Sequence, residues 1–404
     1  MTMRHSDRIR YLDFEISSLC NANCPVCVRT NENGKFSNFK QTYWTLDEVK
    51  RVLDKKLIKQ LYGIILCGNF GDPMGNPQVA DIIEYISEIN PTVKFDISTN
   101  GGIGNKKLYE RIGKYNVNLI LGIDGVGKKN ELHRVNVKWD KVLENVYAFL
   151  SNVDNKNLYL EVQYILWEEN KDQLPLIIDF VKSLGMGKLY IRDPYGGDKN
   201  NVFDKKGNFT HVLNKLNRND NLSQFLETHW NYDQLLELKQ KVSQINIDTP
   251  TIITDDFIEF ELDNTVYEVK KVHISDEDYE KKKNELVRIK EQTCFSLNNI
   301  TPSNLNKSNY NVFISHDKTI MPCCYIPPHL YEFKNGFQQA DSVDDIFQAQ
   351  LLNKMIDIGF DKFSVKDKTL REVFDSGVLH NFVYDDLRSD NASLFCKEMC
   401  GKCF

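Results

Sequence analysis

Residues 20–27 read Cys20-Asn21-Ala22-Asn23-Cys24-Pro25-Val26-Cys27, a C-x3-C-x2-C run that offers three thiolates within eight residues. A four-iron cubane takes one thiolate per iron. Three ligands therefore leave one iron with an open position. A cluster built only for electron transfer would close that position with a fourth cysteine, whereas an open iron can hold a substrate or cofactor. Two plainer readings compete. Positions 20, 24 and 27 are spaced i, i+4, i+7 and could be one stripe of a core helix. Pro25 and the asparagines at 21 and 23 oppose that helix. A zinc site would need a fourth ligand, and His5 is far away in sequence.

Outward from this run, residues 11–192 alternate strand-like and helix-like segments. Strand patterns fall at 11–17 (YLDFEIS), 62–67 (YGIILC), 93–98 (VKFDIS), 117–124 (VNLILGID), 158–166 (LYLEVQYIL) and 187–191. Helical spacing falls at 46–61, 79–89, 106–112, 139–150 and 174–184. Thr45 with Glu48 three residues on predicts a capping box for the first of these. Six strands, each followed by a helix or a loop, imply a parallel sheet, open or closed into a barrel. Six units fall short of the eight in a full TIM barrel.

The rhythm is lost over 193–290, which is rich in Asn, Asp and Lys and reads as an insert or bridging region. It has helical stretches at 232–245 and 276–291 and a possible hairpin at 256–273 turning at Asp263-Asn264. Residues 291–404 contain six cysteines and a clear hairpin at 311–321 (NVFISHDKTIM), turning at 316–318. The expected division is therefore 1–192, 193–290 and 291–404.

A C-x3-C-x2-C loop after the first strand of a six-fold βα series resembles the radical S-adenosylmethionine (SAM) superfamily. The resemblance covers about 11–192 and implies an α/β fold, a partial (β/α)6 TIM-like barrel. It also implies that Cys20, Cys24 and Cys27 ligate a [4Fe–4S] cluster whose open iron chelates SAM. One electron from the cluster would then cleave SAM to methionine and a 5′-deoxyadenosyl radical, which takes a hydrogen from substrate. The residue before the third cysteine is often aromatic in that family; Val26 departs from this. Gly68-Asn69-Phe70-Gly71-Asp72-Pro73, after the second strand, resembles the family's Gly-Gly-Glu-Pro turn, which holds the methionyl amino group. Asp72 stands where Glu is usual, and glycine permits close approach. The third strand ends Ser98-Thr99-Asn100-Gly101, similar to the family's Thr-Asn-Gly strand end, where polar groups reach SAM. The fourth ends Gly122-Ile123-Asp124-Gly125, similar to Ser-x-Asp-Gly with Gly122 departing. His133-Arg134 resembles the downstream His-x-x-x-Arg stretch, and Arg134 could pair with the SAM carboxylate through a bidentate fork. The resemblance thus makes Gly68, Phe70, Gly71, Asp72, Ser98, Asn100, Asp124 and Arg134 the expected SAM contacts. Without it, these are a Gly-Pro loop, polar turns and a surface arginine. Cys67, alone at the end of the second strand, reads as a buried inert thiol.

The remaining cysteines are 294, 323, 324, 396, 400 and 403. A hairpin ending in Pro-Cys and a late C-x2-C can meet around one metal. This resembles the auxiliary cluster domains called SPASM and, in shorter form, twitch, and the stretch 340–356 resembles their helical segment. Six cysteines favour a single auxiliary [4Fe–4S] cluster over two. Its expected ligands are Cys294, Cys323, Cys400 and Cys403, with Cys324 and Cys396 as reserves. A structural zinc knuckle on the same residues is the alternative, and sequence does not separate it from iron–sulfur.

The 404 residues can bury a large core without disulfides. A net charge of −6 argues against general nucleic-acid or membrane-surface binding. No apolar run approaches a membrane span, and a polar N-terminus predicts a cytoplasmic protein. The expected partners are an external one-electron reductant, flavodoxin- or ferredoxin-like, and a small-molecule, nucleotide or peptide substrate. The expected chemistry is radical oxidation or rearrangement. A radical epimerase, with Cys67 as hydrogen donor, and a peptide-modifying maturase are the enzyme alternatives. An iron–sulfur carrier or zinc scaffold is the non-enzyme one.

Overall fold

The alternating series is present as β1 (Ile9–Phe14), α1 (Leu46–Val52), α2 (Lys55–Gln60), β2 (Gly63–Leu66), α3 (Val79–Ile89), β3 (Lys94–Thr99), α4 (Lys106–Ile112), β4 (Val117–Gly122), α5 (Asn130–His133), α6 (Trp139–Leu150), β5 (Leu160–Ile165), α7 (Leu174–Ser183) and β6 (Lys188–Arg192). Beyond it lie β7 (Asn201–Phe203), β8 (Phe209–Val212), β9 (Ile289–Gln292), β10 (Tyr310–Ile314), β11 (Ile320–Met321), α8 (Leu370–Asp375) and β12 (Gly401–Cys403). The structure is a computed structural model. It describes residues 4–27, 29–30, 41–153, 160–184, 188–192, 194, 200–204, 206–215, 289–292, 310–321, 352–379, 381–382 and 401–403. The expected hairpin at 256–273, the helix at 232–245 and the helical stretch 340–351 lie outside the described residues; 352–358 are helical.

The fold class is α/β with a parallel central sheet: β1 pairs parallel with β2, β4 with β5, and β5 with β6. The chain divides into two compact units. The first comprises Met1–Leu19, Asn38–Asp96 and Leu262–Phe404; the second comprises Cys20–Ser37 and Ile97–Glu261. In the first, the strand order is β11-β10-β1-β2-β3. In the second, it is β3-β4-β5-β6, with β3 passing from one into the other.

In the first unit, the capping box forms as expected. Thr45 Oγ1 accepts the Glu48 N–H at 3.3 Å and Glu48 Oε2 accepts the Thr45 N–H at 2.9 Å. The expected single helix over 46–61 is instead two. Leu53 is extended, and the Asp54 carboxylate accepts the Leu57 N–H at 2.8 Å, starting a second helix. A short acceptor side chain competes with helical carbonyls in this way. The hairpin at 311–321 also forms, but it does not stand apart. β10 pairs in parallel with β1, Leu12 opposite Val312 and Phe14 opposite Ile314. Buried Phe14 packs edge-on against Trp44, whose indole N–H donates to the Ser315 carbonyl at 3.2 Å. Residues 289–291, the end of an expected helix, are strand: β9 pairs antiparallel with β12.

Lys318 occupies the hairpin turn at φ +71°, a conformation that L side chains adopt rarely. Its side chain compensates. Nζ donates to Glu48 Oε2 at 2.8 Å and to the Tyr43 carbonyl at 3.2 Å, and it lies 4.0 Å over the Trp44 ring. Burial pulls its pKa from 10.5 down to about 8, with Glu48 opposing. The folded state thus holds fewer protons than the unfolded chain between those values, so stability rises with pH across that window. The rise is at most about 3 kcal/mol. Urea unfolding at about pH 7.5 and about pH 10 should show it in the wild type and not in Lys318→Met.

In the second unit, α4 and α6 pack against each other, and their Tyr109, Ile112, Val142, Val146 and Phe149 are buried. An unexpected hairpin follows β6: β7 pairs antiparallel with β8, and Val202 and Leu213 join buried Trp167 in a small apolar cluster.

Candidate active site

The cysteine run forms an irregular loop, not a helix, in the second unit. The Cys27 N–H donates to the Cys24 carbonyl at 3.2 Å and the Thr30 N–H to the Cys27 carbonyl at 2.9 Å, giving two successive turns. Asparagines hold the loop in place. Asn21 donates to the Gly102 carbonyl at 3.0 Å, and Asn100 donates back to Asn21 Oδ1 at 2.8 Å. The Asn23 backbone N–H donates to the Val135 carbonyl at 3.0 Å. The Asn23 amide donates to the Phe203 carbonyl at 3.4 Å. Val26 packs against the Trp167, Val202 and Leu213 cluster.

Donors face two of the cysteine sulfurs. Cys20 Sγ accepts the Ala22 N–H at 3.4 Å and the Asn100 amide at 3.6 Å. Arg134 hydrogen-bonds Cys24. Burial pushes the Cys24 thiol up to about 12; Arg134 opposes this and the sulfurs of Cys27 and Cys20 add to it. A metal must displace that proton.

Asp124, at the end of β4, is fully buried and anchors the second half of the site. Its Oδ2 takes His133 Nδ1 and Arg134 Nε, each at 2.5 Å, and its Oδ1 accepts the Ile165 N–H at 2.7 Å. Its own N–H donates to Asn130 Oδ1 at 2.9 Å, and its carbonyl accepts the Asn170 amide at 2.9 Å. Burial works against the charge on Asp124, but Arg134, His133 and the Ile165 N–H outweigh it and hold the carboxyl below its usual range. Burial also lowers the His133 pKa, against the pull of Asp124, so His133 is neutral and donates from Nδ1. Arg134 stays charged, because Asp124 and Cys24 overcome the cost of burying it. The carboxylate oxygens of Asp124 are thus engaged within the protein, and it acts through Arg134. Gly122 also gains a reason. A Cβ there would lie 2.8 Å from Nη2 of Arg134 and 3.0 Å from Cζ. The missing hydroxyl makes room for the guanidinium.

In the first unit, the 68–73 turn grips the exit of β1. A Cβ at Gly71 would meet the Ser17 carbonyl oxygen at 2.3 Å, and the Asp72 N–H donates to the Leu19 carbonyl at 2.7 Å. Phe70 is buried, and its N–H donates to Glu15 Oε1 at 2.7 Å. Asp72 Oδ1 accepts the Met74 N–H at 3.0 Å and caps the short turn that Pro73 begins. Aspartate suits that cap because its carboxylate reaches its own backbone two residues on. Cys67 is partly exposed, not the buried thiol expected.

Of the expected SAM contacts, the second unit brings Asn100 to the Cys20 sulfur and Arg134 to Cys24, with Asp124 behind Arg134. Ser98 is half-buried on β3. Gly68, Phe70, Gly71 and Asp72 belong to the first unit. The sequence reading missed Asn21, Asn130, His133 in its pairing with Asp124, and Asn170. The available signal was an asparagine just past a strand end or inside the cysteine spacing, where its amide can replace missing backbone partners. Cys294, Cys323, Cys324, Cys396 and Cys400 lie outside the described residues, and only the backbone of Cys403 is described.

The cysteine loop fits a cluster. Among the described residues, no three His, Cys, Asp or Glu converge tightly enough to hold a single metal ion. The donors on Cys20 and Cys24 suit sulfurs that carry negative charge. No described helix is long and apolar enough to cross a membrane.

The chain is similar to known proteins over its first half. The profile of the Radical SAM superfamily matches residues 14–181. The uncharacterized protein MJ0907 of Methanocaldococcus jannaschii is 26% identical over 178 residues, 40% of this chain and 59% of that protein. The GTP 3′,8-cyclase of Clostridium perfringens is 25% identical over 201 residues, 46% of this chain and 59% of the cyclase. The chain therefore spans about three-fifths of the length of these relatives. The crystal structure of Streptococcus suis SuiB superposes with a TM-score of 0.48 at 13% identity, over 94% of this chain and 68% of SuiB.

Proposed function

We propose that this chain, whose residues 14–181 match the Radical SAM superfamily, is a radical SAM enzyme that holds a [4Fe–4S] cluster on Cys20, Cys24 and Cys27 and uses SAM to abstract hydrogen from substrate. The family domain implies the cluster and SAM. The observation that carries the assignment to these residues is the set of donors turned onto Cys20 and Cys24 from Ala22, Asn100 and Arg134. When bound and reduced by an external one-electron donor, the cluster supplies the electron that splits SAM into methionine and a 5′-deoxyadenosyl radical. The chain's own residues bind and orient. Asn21 and Asn100 fix the loop, and Asp124 aims Arg134, whose guanidinium suits the SAM carboxylate. The 68–73 turn offers backbone groups to the methionyl amine. Apolar Val26, Trp167, Val202 and Leu213 keep water from that flank of the loop.

The substrate class proposed is a small molecule, nucleotide or peptide, with net oxidation or rearrangement assisted by an auxiliary [4Fe–4S] cluster. Support for that cluster comes from the β9–β12 pairing, which sets Gln292 opposite Gly401. In sequence, Cys294 is two residues past Gln292 and Cys400 immediately precedes Gly401. The domain division proposed remains 1–192, 193–290 and 291–404, although β10 of the last segment pairs with β1 of the first. A radical epimerase is the second reading, favoured by the partly exposed Cys67 thiol as hydrogen donor.

Anaerobic reconstitution tests the proposal. The expected result is about eight irons per chain, four for each cluster, and 5′-deoxyadenosine when SAM and dithionite are added. About four irons with one zinc would keep the radical chemistry and make the C-terminal cysteines structural. A fully loaded protein that neither binds nor cleaves SAM would overturn the reading.

A further inference from the structure

Glu15, just past β1, is completely buried, and its carboxylate stands between two segments far apart in sequence. Oε1 accepts the Phe70 N–H at 2.7 Å. Oε2 accepts from His316 Nδ1 at 2.9 Å, with the His316 N–H at 3.4 Å and the Ser315 hydroxyl at 3.5 Å. His316 is equally buried, and its ring lies 5.3 Å from that of Phe70. The Glu15 N–H donates to the Ile314 carbonyl at 2.9 Å. Four donors on one carboxylate make a charge-assisted network in a dry place. Burying a charge is costly unless it is paired and hydrogen-bonded, and this carboxylate has both oxygens engaged. Here the geometry fixed is that of the 68–73 turn on one oxygen and of the 310–321 hairpin on the other.

We propose that Glu15 and His316 are positioning residues for SAM: together they hold the Phe70 amide, and with it the 68–73 turn, in the conformation that receives the methionyl amine. The inference rests on the reading of that turn given under the proposed function. It deepens that reading by making SAM affinity depend on a hairpin whose His316 is 301 residues from Glu15 in sequence. Glutamine cannot replace Glu15. Both oxygens face donors, and an amide would turn its own NH2 onto one of them. Asparagine can replace His316 in part, because its amide nitrogen offers a donor at nearly the same reach as Nδ1.

The test uses the reconstituted holoprotein as wild type, Glu15→Gln, His316→Ala and His316→Asn. Iron content, SAM affinity by equilibrium dialysis, and KM and kcat for SAM cleavage are measured. Glu15→Gln and His316→Ala should keep wild-type iron and weaken SAM binding about tenfold, with kcat at saturating SAM within about twofold of wild type. His316→Asn should recover most of the affinity. The two His316 variants carry the test by themselves if Glu15→Gln does not fold. Unchanged SAM affinity in iron-loaded His316→Ala would overturn the inference, as would equal losses in His316→Ala and His316→Asn, which would make the role one of packing. A wild type that loads iron yet binds no SAM would overturn the proposed function and this inference together. A wild type that binds SAM beside unaffected variants would overturn this inference alone.

Discussion

Replacing Cys20, Cys24 and Cys27 together by alanine should remove about four irons per chain and abolish 5′-deoxyadenosine formation. The loop has other means of keeping its shape. Its turns close through backbone bonds between residues 24, 27 and 30, and its anchors are the amides of Asn21, Asn23 and Asn100. None of these anchors needs a sulfur. The variant should therefore fold, with its thermal midpoint near that of the metal-free wild type, while losing one cluster's iron and its electron paramagnetic resonance signal. Iron analysis beside a melting curve separates loss of ligation from loss of fold. A triple variant that kept all its iron would sink the assignment. Iron lost from the C-terminal cysteines leaves these three in place, so single-site variants at Cys323 or Cys403 provide the converse control.

Asp124→Asn should destabilise the protein by about 3–5 kcal/mol, the range for breaking a buried ion pair by removing one partner. The substitution keeps the shape and removes the charge. Arg134, largely but not fully buried, then loses its counter-ion, and His133 loses the acceptor for Nδ1–H. A fall of about 5 °C in thermal midpoint is the expected size for a chain of this length. The pH dependence has a definite sign. The folded pKa of Asp124 lies below its ordinary value, so the stability it contributes is present above the unfolded pKa and is lost as pH falls through the folded one. The variant should lack that part of the acid limb. Gly122→Ala distinguishes a role in binding from one in folding. It leaves Asp124 paired but puts a methyl group where the guanidinium lies. It should weaken SAM binding more than it lowers the melting point. Wild-type SAM affinity in Gly122→Ala would remove Arg134 from the site.

The cysteine loop and the first helix cap are legible in the sequence because their signals are local. C-x3-C-x2-C is a spacing, and Thr45 with Glu48 is a cap written in four residues. The bounds of α3, α4 and α6 coincide with the apolar periodicity that predicts them. The helix over 46–61 was read as continuous because its apolar spacing runs through Asp54, and periodicity does not report when a side chain captures the next turn's N–H. Gly122 looked like a lost hydroxyl, because the reason for a glycine is the atom that would collide with a Cβ, and that atom belongs to residue 134.

The sequence by itself determined the βα order, the cysteine loop between β1 and α1, and the chemistry that such a loop supports. These depend on side-chain period, backbone propensity and ligand count, which act over a few residues. Tertiary structure alone decided that β10 lies beside β1, that Glu15 joins Phe70 to His316, and that Asp124 spends its charge on Arg134 and His133. Each is a pairing of buried polar groups or strand edges. Any exposed edge or carboxylate could accept many partners, and only the packed chain, by excluding water from all but one, selects which partner it has.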